Sequence, residues 1–114
     1  MLTYEKEQKE FCEKKNVPWI EAPLNLKVGI SKSVREGFKP INGLRHPPTE
    51  TTTGWYIWAG EWSDDQNFFE PYHLGHLLES CPLVVKFLGL PPGWRFLVTD
   101  DYEDVWEDPS LLKV

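Results

Sequence analysis

The chain has 114 residues, 40% apolar and 14% aromatic, with six Trp and a net charge of −6. That is one domain with enough apolar mass to build a core, which excludes a disordered acidic polymer. The charge is uneven, net +2 over residues 1–57 and net −8 over residues 58–114. So negative a half repels phosphates, which argues against a nucleic-acid partner. It suits a basic protein or a cation.

The first fifteen residues are charged throughout and have no apolar centre, so no signal peptide is expected. The longest apolar runs, 55–59 and 83–85, are too short for a bilayer span. The expectation is a cytoplasmic protein with no membrane partner. In that reducing compartment Cys12 and Cys81, which form no Cys-x-x-Cys pair, read as buried thiols, although the count alone leaves a disulfide open.

Residues 1–19 read as a peripheral helix ahead of a single domain over 20–114. Thr3 is placed to cap that helix, and Glu5, Glu7, Lys14 and Lys15 follow the order its dipole favours. Its apolar stripe is thin, Tyr4, Phe11 and Cys12 with Gln8 between them, which predicts a helix laid across the sheet and outside the core. Leu24, Leu26, Val28 and Ile30 alternate with polar or small residues, the period of a strand with one buried face. Residues 33–53 show little periodicity and read as a short strand near Val34 and then a long loop, its Thr-rich end leading extended into the next strand.

Residues 55–59 are continuously apolar between Gly54 and Gly60, which predicts a central strand covered on both faces. An acidic loop follows over 61–70. Pro71 suits a first helical position, and Leu74, Leu77, Leu78 and Cys81 fall at i, i+3, i+4 and i+7. Pro82 opens a second short helix with Val84, Val85 and Leu88 inward, ended by Gly89. Trp94, Phe96 and Val98 alternate as a strand. The acids of 100–108 are interleaved with Tyr102, Val105 and Trp106, which predicts a tail docked on the domain. The fold class is α+β, a small mostly antiparallel sheet of three to five strands with two or three packed helices.

Four segments, GWYIWAGE at 54–61, the leucine helix ending in Cys81 and Pro82, LGLPPGWRF at 88–96 and YEDVW at 102–106, carry a resemblance. The chain resembles bacterial proteins of the Imm33-like group, predicted immunity proteins of polymorphic toxin systems and earlier a domain of unknown function. The likeness covers roughly residues 20–112, is best over 54–112, and is one of aromatic and glycine packing motifs. It implies a small cytoplasmic α+β domain with an antiparallel sheet that inhibits a toxin by direct binding. It assigns no catalytic residue.

The leading candidate for a docking surface is the run of Asp100, Asp101, Glu103, Asp104, Glu107 and Asp108. Like charges so close cost stability unless a basic partner offsets them, and acidic complementarity also speeds encounter. The bland alternative is a solvated edge that keeps the sheet from pairing with its neighbours. Glu61, Asp64 and Asp65 extend the patch if their loop lies beside the tail. Trp62 and Phe69, if exposed, are interface anchors, whereas Trp55, Trp58, Trp94 and Trp106 read as core.

The acids lack the spacing of a calcium loop. His73 and His76 read as a polar helix face with His76 in solvent and His73 flanking the core, because zinc needs a third ligand. Cys81 falls on the apolar stripe and reads as inert. No serine lies in a nucleophile elbow, and no Gly-rich phosphate loop occurs.

Three functions remain in play. The first is a non-enzymatic immunity protein that binds a basic cognate toxin, as a monomer or weak homodimer without a cofactor. The second is a metal-assisted hydrolase using the acids of 100–108, which metal titration calorimetry separates from the first. The third is a self-associating accessory domain, which sedimentation at several concentrations tests.

Overall fold

The computed structural model describes residues 2–112, with side chains from Tyr4 onward. Its elements in chain order are α1 (Leu2–Lys14), β1 (Lys27–Ser31), α2 (Lys32–Arg35), β2 (Ile41–Arg45), β3 (Thr52–Ala59), β4 (Phe69–His73), α3 (Leu74–Ser80), the 3₁₀ helix η1 (Pro82–Phe87), β5 (Trp94–Val98), β6 (Glu103–Glu107) and the 3₁₀ helix η2 (Pro109–Leu112). The strands form one six-stranded sheet in the order β4-β1-β3-β2-β5-β6. Only the β1–β3 pair is parallel; the other four are antiparallel. The fold is therefore α+β, with more strands than the sequence pattern predicts.

One sheet face is covered by helices. Val28, Ile30, Ile41, Trp55, Ile57, Ala59, Phe96 and Val98 form a single core with α1, α3 and η1. The period-two reading of β1 and β5 holds on this face, where Trp55 and Ile57 of β3 also pack, and so does the inward set Val84, Val85 and Leu88. β3 is central as expected. Its second covering is aromatic, though, and not helical: Trp58 is buried and Tyr56 half-buried among Phe68, Phe69, Leu44 and Leu111.

Several sequence expectations fail for physical reasons. The residues around Val34 make one helical turn, with Ser33 Oγ donating to the Ala59 carbonyl at 2.9 Å. The expected long loop contains β2, which Gly43 and Arg45 disguise. A Cβ on Gly43 would lie 2.2 Å from the Phe96 ring, which crosses that gap to stack on Phe87 at 4.6 Å. Pro71 sits in the edge strand β4 opposite Gly29, where a missing N–H is tolerated. The acidic tail is itself the edge strand β6.

α1 is more of a core element than its thin stripe suggests. Phe11 and Cys12 belong to the main core, with Phe11 edge-on to Phe87 of η1 at 5.2 Å. Gln8 is buried too, its Oε1 accepting from Trp19 Nε1 at 3.1 Å. The Thr3 side chain, expected as the cap, lies outside the described residues. Leu24 is exposed and precedes β1. Cys12 is buried and Cys81 only half-buried, and both are free thiols. No helix among the described residues is long and apolar enough to cross a membrane.

Candidate functional site

Directly paired residues share a sheet face, so the register defines what lies opposite the helices. That open face carries Phe69 and Pro71 of β4, Gly29 of β1, Tyr56 and Trp58 of β3, Leu44 of β2, Arg95 and Leu97 of β5, and Asp104 and Trp106 of β6. β3 has apolar residues on both sides because both of its sides meet packed groups. On the open side those groups are rings.

The loop after β3 folds over this face. Gly60 turns it at φ +75°. Trp62 stands edge-on to Trp58 at 5.0 Å and to Phe69 at 5.4 Å, and Phe68 meets Phe69 at 4.9 Å. Tyr56 closes the cluster against Phe69 at 5.2 Å. Trp62 remains 51% exposed at the top of these rings. Edge-to-face contacts fix its plane, so it presents a held apolar surface. Beside it a recess of about 210 Å³ opens over Gly29, walled by Tyr56, Phe69 and Pro71. A Cβ on Gly29 would lie 2.8 Å from the Tyr56 ring, so the glycine keeps that recess open.

The loop acids shape the loop as well as charging it. Asp64 Oδ1 accepts from Trp62 Nε1 at 3.0 Å, and Asp65 Oδ1 accepts from the Asn67 N–H at 2.8 Å. Glu61 is exposed beside them. The β5–β6 turn with Asp100 and Asp101 lies at the same end of the sheet as this loop, because Val98, Ile41 and Ala59 are register partners in sequence across it. Glu61, Trp62, Asp64, Asp65, Asp100 and Asp101 thus share one end of the molecule, with Phe69 on the adjoining face.

The rest of the acidic run is divided. Glu103 and Glu107 pair with Val98 and Trp94 and so take the helical side, while Asp104 pairs with Leu97 on the open face. Half of the charge is already matched: Lys39 meets Asp100 at 2.8 Å, Lys86 meets Glu103, and Arg95 meets Asp108 at 3.4 Å. Asp101, Asp104 and Glu107 have no basic partner among the described residues. Hydrogen bonds from Ser110, helped by Arg95, hold the Asp108 carboxyl below its ordinary range. A cleft of about 420 Å³ between η1 and the turn is lined by Glu7, Lys86, Asp101 and Tyr102.

Among the described residues no three His, Cys, Asp or Glu side chains are grouped to hold a metal ion. His73 and His76 are both exposed, their rings 5.6 Å apart. Burial raises the thiol pKa of both cysteines. Trp94 is half-buried and Trp106 is 36% exposed, so the latter is a surface group and not core. The sequence reading missed Arg95, which lies between the Trp58 and Trp106 rings at 5.9 and 5.5 Å. The available signal was its rarity, one of three basic residues in the acidic half, set beside Trp94.

The model of one family, the Imm33-like domain, matches residues 7–108. The match begins inside α1, earlier than the motif resemblance, in keeping with the helix's place in the core. No curated protein and no solved structure matches the chain.

Proposed function

This chain belongs to the Imm33-like domain family, and from that membership we propose that it is a non-enzymatic immunity protein. It neutralises a cognate toxin by binding it in the cytoplasm, and occlusion is the whole mechanism. Docking uses the end of the sheet where Glu61, Asp64, Asp65, Asp100 and Asp101 surround the exposed aromatic cluster, and it continues onto the open face. The observation that carries this reading is Trp62, a large apolar side chain held by three neighbouring rings yet half in water. Groups of that kind dominate binding energy at protein interfaces. The surrounding acids steer a basic partner in and set its orientation. Asp101 and Asp104, which lack intramolecular cations among the described residues, are available to that partner, whereas Glu107 lies on the helical side.

Co-purification with mass spectrometry from the native organism identifies the toxin. Co-expression then measures protection. The expected result is that the chain restores growth and forms a stable complex, and that salt weakens the complex. Absence of both complex and rescue overturns the proposal.

A further inference from the structure

Arg95 on the open face is set up in a way that acidic docking does not use. The guanidinium lies between Trp58, on the central strand, and Trp106, on the edge strand. Its ion pair is weak in geometry: Nη1 reaches Asp108 Oδ2 at 3.4 Å, long for a charge-assisted bond. Asp108 directs Oδ1 instead to Ser110, accepting from Oγ at 2.6 Å and from the backbone N–H at 3.2 Å. Arg95 Nε is shut off from water and has no acceptor at all. Buried donors are almost always paired, so an orphan on a cation needs an explanation.

We propose that Arg95, cradled by Trp58 and Trp106, receives a carboxylate side chain of the bound partner protein. The inference rests on docking at the open face. A carboxylate fits because it is planar and anionic, and its two oxygens match the parallel N–H groups of a guanidinium edge. The flanking rings hold the plane of the fork, and its Nε is shielded from water. Trp106 is a surface side chain on β6 and the Arg95 side chain is itself 29% exposed, so the guanidinium is approached from solvent with the core closed. The contact gives the interface a site of opposite sign to its acidic rim. A uniformly basic protein would leave that site unmatched, which makes Arg95 a specificity residue.

The test is a nitrogen–proton NMR titration that follows the arginine Nε–H signals, with the amide of N-acetylglutamate as probe and that of N-acetylglutamine as its neutral control. Arg35 is the internal reference, an exposed arginine with one carboxylate, Glu70, and one ring, Tyr72. The expected result is that the glutamate probe shifts the Arg95 signal further than the Arg35 signal and that the glutamine probe does not. Trp106→Ala should reduce the Arg95 shift to the level of Arg35. Equal shifts at the two arginines, an equal response to the neutral probe, or selectivity that survives Trp106→Ala each overturn the proposal. Such a failure with growth protection intact removes only this contact. Loss of protection removes the docking reading itself.

Discussion

Arg45 Nη1 donates to the Leu90 carbonyl at 2.8 Å from a side chain with no exposed surface. The same guanidinium donates to the carbonyls of Ile20 at 2.8 Å, Thr53 at 2.9 Å and Glu21 at 3.1 Å. It thereby ties β2 and β3 to the segment after α1 and to the turn after η1. Carbonyl oxygens replace water around the buried charge, and the face of Trp55 lies 5.7 Å away. Arg45→Met would orphan these acceptors together, at an expected cost of about 3 kcal/mol or more. Burial lowers the Arg45 pKa to about 10 from 12.5. The unfolded chain therefore binds more protons only between those values, where stability rises with pH. Below about pH 9 the group is charged in both states. Denaturant unfolding of Arg45→Met should show the same loss at pH 6 and pH 8.5.

Gly54 occupies φ +88°, and a Cβ there would lie 2.0 Å from the His46 carbonyl oxygen. Both the backbone conformation and the contact forbid a side chain. Gly54→Ala should cost roughly 3 kcal/mol or more and shift the thermal midpoint down accordingly. Gly37, also at positive φ but with open space around it, should lose far less on the same change.

Asp108 is held below its ordinary pKa by Ser110 first and Arg95 second. A depressed carboxyl contributes stability above its unfolded pKa and loses it as pH falls through the folded value. Ser110→Ala should return the Asp108 titration, followed by its carboxyl carbon signal, toward the usual carboxylate range. Asp108→Asn should remove that part of the acid sensitivity below about pH 4.

The two thiols should react in order. Cys12 is buried in the main core with Sγ 3.4 Å from the Gly89 carbonyl, whereas Cys81 is half-buried at the end of α3. A thiol reagent at pH 8 should label Cys81 in the folded protein and Cys12 only on unfolding. Labelling at equal rates would contradict the packing of α1 on η1.

What the sequence made legible was periodicity backed by burial. Val28 with Ile30, Leu74 with Leu77 and Leu78, and Phe96 with Val98 announced their faces because one side of each element meets the same core, whereas the continuous run 55–59 announced a central strand without separating its two faces. β2 stayed hidden because its inward positions are Ile41, Gly43 and Arg45, two of which look like loop residues. Gly43 is required by the Phe96 ring, and Arg45 is buried only because carbonyls distant in sequence converge on it. β4 and β6 were missed for an edge-strand reason. Pro71 and the alternating acids suit strands with one unpaired side, and they read from sequence as a helix start and a tail. At the candidate site, the acidic, turn-rich surroundings of Trp62 and Phe69 left their exposure open; Trp62 is exposed, while Phe69 is half-buried in β4. The acidic run read as one patch, but register and ion pairing divide it between two faces. That division depends on contacts with Lys39 and Lys86, which no local pattern reveals.

The most direct test is the dissociation constant of the complex with the co-purified toxin, measured for the parent chain and for Trp62→Ala. Trp62 is half exposed, so its removal should cost only about 1 kcal/mol of stability. Loss of an anchor should instead weaken binding about 30-fold or more. Unchanged affinity in Trp62→Ala, with loss of affinity on substitution of exposed α1 residues such as Lys6 or Glu10, would place the toxin on the helical side and contradict docking at the open face.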